Sequence, residues 1–155
     1  GSISLNLMFM ALFWTIGSFS YGYIEKKINN KKLIISFSSI MMAFLISLLC
    51  ISIISSKIFF LILFCFLGFF GAFTLILMSH YRVLFEEAII GKVLTTANLF
   101  NFFGVFLTQW LTGVIIFNLN EKYGLPIDST FSIAFLMIII CLVISTVFYL
   151  KTDEK

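Results

Sequence analysis

VLTTANLFNFFGVFLTQWLTGVIIF, residues 93–117, is a run of sequence without a charged side chain. At about 1.5 Å per residue, a helix of this length crosses the hydrocarbon core of a bilayer. At about 100° per residue, five of its hydrogen-bonding side chains fall within about one third of the helix circumference. We call these side chains the polar stripe: Asn98, Asn101, Thr108, Gln109 and Thr112. Because amide groups are costly against lipid, we expect the stripe to face other helices or a water-filled cavity.

Two interpretations of the polar stripe stay open at this point. The stripe is either a seam that binds neighbouring helices through side-chain hydrogen bonds, or the wall of a cavity through which a solute passes. The second and third apolar runs offer small, hydroxyl-bearing faces that could complete a seam. We favour the cavity, because the stripe crosses the middle of its span, and we take its residues as substrate-path candidates.

The composition of the whole chain indicates an integral membrane protein. It is 61% hydrophobic and 11% charged, whereas soluble domains are about 45–50% apolar and about 25% charged. The pieces between the apolar runs are too short to form a soluble domain. We therefore predict an all-α polytopic bundle, with residues 1–155 as one membrane domain. Its five transmembrane helices are predicted near residues 3–24, 33–56, 58–79, 93–117 and 130–150.

The basic residues predict the orientation of the bundle. With five spans, eight basic residues fall on one side of the membrane and two, Lys57 and Lys122, on the other. By the positive-inside rule the first side is cytoplasmic. We therefore predict a multi-pass protein of the cell (inner or plasma) membrane, with its amino end outside and its carboxyl end in the cytoplasm. The eight are Lys26, Lys27, Lys31, Lys32, Arg82, Lys92, Lys151 and Lys155.

The sequence shows none of the residue groupings that indicate an enzyme. No Asp, Glu, Lys, Arg or His lies deep within a predicted span, which disfavours an ion or proton relay. His80, at the end of the third run, is predicted to be solvated or to cap a helix. The cysteines show no metal-binding spacing, and no nucleophile, base and orienting group converge. We expect no enzymatic activity, metal site, cofactor or nucleic-acid partner. The expected partners are the lipid bilayer and a small-molecule solute.

Small residues in the first three runs predict close helix packing, since they let backbones approach in lipid. The fifth run is almost uniformly apolar and is expected to face lipid over much of its surface. The small sets are Ser18 and Gly22 in the first run, Ser36, Ser39, Ala43, Ser47 and Cys50 in the second, and Gly68, Gly71, Ala72 and Ser79 in the third.

The second cytoplasmic connector, HYRVLFEEAIIGKV (residues 80–93), contains two neighbouring acids. Glu86 and Glu87 can stabilise the start of the fourth helix through its dipole. If that helix begins as early as Glu87, this carboxylate continues the polar stripe to the cytoplasmic mouth of the predicted cavity. Glu87 is therefore also a gate candidate.

The first connector, GYIEKKINNKKLI (residues 22–34), resembles the cytoplasmic motif G-x-L-x-D-[RK]-x-G-[RK]-[RK] of the major facilitator superfamily. In that motif the family has Asp where this chain has Lys26, Gly where it has Asn29, and usually a basic residue where it has Asn30. Glu25, one residue before Lys26, is the candidate replacement for the acid. The matching positions are Gly22, Ile24, Lys27, Lys31 and Lys32.

The region from residue 67 to residue 115 is similar to the tenth and eleventh helices of the same superfamily. In both, a Gly-rich helix, a loop ending in Gly and a basic residue, and a helix with an Asn and a late Gly follow one another. The residues of this likeness are Gly68, Gly71, Gly91, Lys92, Asn98, Gly104 and Gly113. Together with the helix count and the loop lengths, the pattern resembles the eighth to twelfth helices of a major facilitator transporter.

The resemblance implies a secondary transporter of twelve helices in two halves, which rock about a site near the membrane midplane. This chain would then be the carboxy-terminal part, a fragment whose partners include the missing amino-terminal helices. The resemblance makes the connector residues Gly22, Glu25, Lys27, Lys31 and Lys32 candidates for a cytoplasmic gate or loop motif. A small non-transporting membrane subunit or scaffold is the alternative.

Overall fold

A computed structural model describes residues 2–50 and 56–151, and all regular structure in these residues is helical. Five segments are long and apolar enough to cross a membrane, as predicted. Helices α3 and α4 belong to one such segment, Lys57–Leu84. In chain order the helices are α1 (Ser2–Ile28), α2 (Lys31–Cys50), α3 (Lys57–Gly71), α4 (Thr74–Leu84), α5 (Glu87–Phe117) and α6 (Ile127–Lys151), with a π-helical segment, Asn118–Lys122, between α5 and α6.

Two connectors, after the first span and after the third, are shorter than predicted, because the helices continue beyond their apolar runs. Only Asn29 and Asn30 separate α1 from α2, and only Phe85 and Glu86 separate α4 from α5. Lys and Glu favour helix, so charged residues at the membrane surface extend a helix that the apolar run begins. Asn29, with a φ of 48°, ends α1 in a left-handed conformation that Asn tolerates. Residues 51–55 of the predicted second span and Lys155 lie outside the described residues, and Ser56, the predicted last residue of that span, is the extended N-cap of α3.

The third span is interrupted where α3 gives way to α4. The backbone N–H groups of Ala72 and Phe73 bond to carbonyls only three residues earlier, at 3.3 and 3.2 Å. The hydroxyl of Thr74 also donates to the carbonyl of Gly71 at 3.3 Å. Tight turns and hydroxyls that compete for helix carbonyls are known causes of local helix distortion. The span predicted over residues 58–79 is therefore one segment with a short distortion between its two helices.

Helix α1 packs on α3 through glycines. A Cβ atom added to Gly68 would lie 2.9 Å from the carbonyl carbon of Met10, and one added to Gly17 would lie 3.0 Å from the Cβ of Ala72. The predicted small pair Gly68 and Ala72 is therefore confirmed as a packing surface. On α1 the close approach is made by Gly17, whereas a Cβ at Gly22 would meet nothing within 4 Å. The prediction of a packing pair at Ser18 and Gly22 is wrong.

The small face of α2 packs on α6. The hydroxyls of Ser39 and Thr146 share a buried hydrogen bond of 2.6 Å. At the other end of the pair, the Ser132 hydroxyl donates to the Cys50 carbonyl at 3.4 Å. Most of the remaining surface of α6 is exposed, which agrees with the predicted lipid-facing fifth span.

One cluster of buried residues, called here the core, lies toward the end of the bundle where α1, α4 and α6 end and α2 and α5 begin. We call this the basic end, because the residues that the sequence places on the cytoplasmic side lie on these helix termini. Within the core, the hydroxyls of Tyr21 and Ser38 share a hydrogen bond of 2.5 Å between α1 and α2. The apolar core residues are Tyr21, Ile34, Ile35, Ala72 and Ile76.

Candidate functional site

A small charged cluster joins three helices at the basic end. Its members are Glu25 on α1, Lys31 on α2 and Ser79 on α4. The Lys31 ammonium lies 2.9 Å from the Glu25 carboxylate, and the Ser79 hydroxyl donates to the same carboxylate oxygen at 3.0 Å. Lys31 also donates to the hydroxyl and the carbonyl of Ser79, at 2.8 and 3.3 Å. With side chains only 22% and 24% exposed, Lys31 and Glu25 are held away from bulk solvent.

Local sequence places the charged cluster. Because α1 continues to Ile28, Glu25 lies in its last turn. The side-chain oxygen of Asn30 accepts a hydrogen bond from the Leu33 N–H at 2.9 Å, which caps the start of α2. Lys31 is then the first residue of α2 and faces back toward α1. Glu25, which the sequence makes the candidate replacement for an acid at position 26, is therefore the carboxylate of the cluster.

Two other candidates of the first connector, Gly22 and Lys27, do not join this cluster. Gly22 and Lys27 are exposed, and among the described contacts none is made by the Lys27 ammonium. Lys32 is half-buried beside Lys31. Within the described residues, the Lys31 ammonium contacts the acid, whereas Lys27 is exposed at the surface.

His80 is buried rather than solvated, contrary to the prediction. It is 5% exposed, and its Nδ1 atom shares a hydrogen bond of 2.5 Å with the hydroxyl of Tyr149 on α6. The two rings meet nearly perpendicular, with centroids 5.9 Å apart. The two residues are 69 positions apart in the chain, and nothing in the local sequence of either one predicts this contact.

The polar stripe is uncovered. No residue of α5 is buried within the described part of the chain. Asn98, Asn101, Thr108 and Gln109 are exposed and Thr112 is half-buried. The hydroxyl of Thr108 bonds only to the Gly104 carbonyl of its own helix, at 2.8 Å. The small faces that could have completed a seam pack elsewhere, that of α2 on α6 and that of α3 on α1. Within residues 2–50 and 56–151, the stripe forms no seam.

A cavity of about 430 Å³ between α4 and α5 brings the stripe close to the charged cluster. Asn98 lines it from α5, and Ser79 and Arg82 line it from α4. Glu87, the first residue of α5, is exposed and continues the stripe toward the basic end. Because α5 begins at Glu87, the condition for the gate role is met, and the position equally suits the dipole role.

No family model, curated protein or solved structure matches this chain. The likeness to the major facilitator superfamily therefore stays a prediction from the motifs. In the described segments no group of three or more His, Cys, Asp and Glu side chains could hold a metal ion.

Proposed function

We propose that this chain is the carboxy-terminal part of a secondary transporter that moves a small solute across a cell membrane by alternating access. The observation that supports the proposal best is the uncovered polar stripe of α5. In a bilayer, amides at mid-span need a partner, because the hydrocarbon core offers none. Helices of the other half would cover the stripe in part, and the solute and water would meet the rest.

The chemistry of the stripe favours a solute recognised by hydrogen bonds. Its amide and hydroxyl groups donate and accept without a formal charge. Such groups suit uncharged or zwitterionic polar molecules and fix their orientation by geometry.

The charged cluster is suited to a cytoplasmic gate. It ties the ends of α1 and α4 to the start of α2 through one ion pair and three hydrogen bonds. In a rocking mechanism, such a tie stabilises one state and must loosen in the other. Replacing Lys31 with Ala in the whole transporter should therefore slow conformational switching more than it lowers abundance. Lys27→Ala is the matched control and should leave switching unchanged. Equal losses of uptake and of protein level for Lys31→Ala would contradict a gate.

Cysteine accessibility in the native membrane tests the proposed solute path. Single cysteines at positions 98, 101, 105, 108 and 112, with the three native cysteines replaced, should react with a water-soluble thiol reagent. Some of them should be protected once a transported solute is added. Cysteines at Phe103 and Trp110, on the opposite side of α5, are the controls and should stay unreactive. If no stripe position reacts under any condition, the solute path lies elsewhere.

The alternative, a non-transporting membrane subunit, rests on the same uncovered stripe. A subunit would bury the stripe against a partner protein through hydrogen bonds between helices. Stripe cysteines that stay unreactive in the native membrane, yet react once the chain is purified alone, would support the subunit over the transporter.

A further inference from the structure

An open cavity of about 780 Å³ lies at the basic end, between the end of α1, the start of α2 and the end of α4. Lys26 and Asn29 line it from α1 and the turn, and Asn30 from the cap of α2. The charged cluster supplies Glu25 and Lys31 to the same wall. Amide and ammonium donors from two chain segments therefore converge on one space at the predicted membrane surface.

The charge of this cavity is positive. Among the described residues, Glu25 supplies the one carboxylate that lines it, and this group is neutralised by Lys31 at 2.9 Å and accepts a hydrogen bond from Ser79. Lys26, in contrast, forms no ion pair within the described residues. The N-terminal end of α2 borders the cavity, but so do the C-terminal ends of α1 and α4, so the helix dipoles add no net positive charge. The uncompensated ammonium of Lys26 thus remains to bind an anion.

The exposed part of the wall contributed by α4 is apolar, and the third α4 residue of the wall, His80, is buried and bonds to Tyr149. Val83 and Leu84 line the cavity, and they are 67% and 39% exposed. A soluble anion gains nothing from such a wall. A phospholipid gains apolar contacts there, because its acyl chains continue from the headgroup along the side of the bundle that faces lipid.

We propose that this cavity binds the headgroup of an anionic phospholipid. The phosphate accepts hydrogen bonds from Lys26 and from the side-chain amides of Asn29 and Asn30. The acyl chains run down past Val83 and Leu84. Basic pockets between transmembrane helices are known sites for such headgroups. The lipid lies next to Lys31, so it is placed to act on the charged cluster. The binding site itself does not depend on the proposed transport function.

Binding of spin-labelled phosphatidylglycerol tests the proposal directly. The 155-residue chain is reconstituted in phosphatidylcholine bilayers, and the immobilised fraction of the labelled lipid gives its relative affinity. Lys26→Ala should lower that affinity about five-fold, the effect of about 1 kcal/mol for one basic residue at the surface. Lys27→Ala is the matched control, because Lys27 is its exposed neighbour and does not line the cavity. It should leave the affinity nearly unchanged.

A second variant separates the lipid from a free anion. Val83→Gln makes the apolar wall polar but keeps the Lys26 ammonium, and it should weaken phosphatidylglycerol binding. Equal losses in Lys26→Ala and Lys27→Ala would overturn the proposal in favour of a diffuse basic surface. A third outcome is that millimolar inorganic phosphate displaces the labelled lipid and that Val83→Gln has no effect on lipid binding. This outcome would overturn the proposal in favour of a site for soluble phosphate.

Discussion

Helices α1 to α4 and helix α5 differ in whether their polar side chains find partners on other helices of the chain. At the basic end, the hydroxyl of Tyr21 shares a hydrogen bond with Ser38, and the carboxylate of Glu25 forms an ion pair with Lys31. On α5, the amides of Asn98 and Asn101 find no partner within the described residues, and no side chain of the helix is buried. Polar groups satisfied inside the chain serve its fold. Those left uncovered at mid-span are the ones available to a solute or another chain.

Replacing a glycine with alanine should give the largest difference in unfolding free energy between the two regions. In Gly68→Ala the new Cβ would collide with the Met10 backbone on α1, so α1 and α3 must move apart. Overpacking of this kind costs about 1–3 kcal/mol of unfolding free energy. Gly104→Ala on α5 is the matched control, because its Cβ meets nothing within 4 Å. It should be neutral or stabilising by up to about 1 kcal/mol. Unfolding of the purified chain by denaturing detergent measures both.

Equal effects at the two glycines would contradict the contrast between the packed and the uncovered helix. A stabilising Gly68→Ala in particular would mean that α1 and α3 do not approach at Met10.

The charged cluster should have the next largest effect. Glu25→Gln removes the counter-charge of Lys31, which is mostly shielded from solvent, and should lower the unfolding free energy by about 1 kcal/mol. Glu121→Gln is the control, since Glu121 is exposed in the π-helical segment and no described contact involves it. A double-mutant cycle of Glu25→Gln with Lys31→Met should show a coupling of about 0.5 kcal/mol or more. Additive effects would mean that the ion pair contributes nothing to folding.

A hydroxyl pair between helices should have a smaller effect. Ser39→Ala removes the buried hydrogen bond to Thr146 that joins α2 to α6. Hydrogen bonds between membrane helices average about 0.6 kcal/mol, so the unfolding free energy should fall by about that amount. Ser145→Ala is the control, because its exposed hydroxyl bonds only to the Cys141 carbonyl of its own helix. A loss as large for Ser145 as for Ser39 would contradict a role for the contact between helices.

Apolar periodicity and length predicted the helical class and the number of spans, because lipid imposes one strong condition on every helix that crosses it. The same reasoning could not place helix ends. Lys26 and Glu87 are compatible with a helix or with a loop at the membrane surface, and the structure has both in helix. Which apolar run contacts which is decided by packing across the whole chain.

Two contacts show why partners were harder to predict than spans. The sequence offered Ser18 and Gly22 as a small pair, but the side of α1 that meets α3 presents Gly17. His80 was predicted to be solvated because it ends an apolar run, whereas the structure buries it in a hydrogen bond with Tyr149 of α6. The charged cluster was partly predictable. The motif indicated Glu25 as the substitute acid, although its third member, Ser79, is 54 residues away.

The smallest expected effect on stability is that of the polar stripe. Asn101 is exposed and hydrogen-bonds to nothing in the described part of the chain. Asn101→Ala should therefore change the unfolding free energy of the purified 155-residue chain by no more than about 0.5 kcal/mol. If the stripe contacts a solute, the same substitution in the whole transporter should weaken solute binding by about 0.5–1.5 kcal/mol, the contribution of one hydrogen bond. Asn118→Ala is the control, because its amide bonds to the Val114 carbonyl beyond the stripe, and it should leave solute binding unchanged. A clear loss of stability in Asn101→Ala, with solute binding intact, would place the stripe among the groups that hold the fold together.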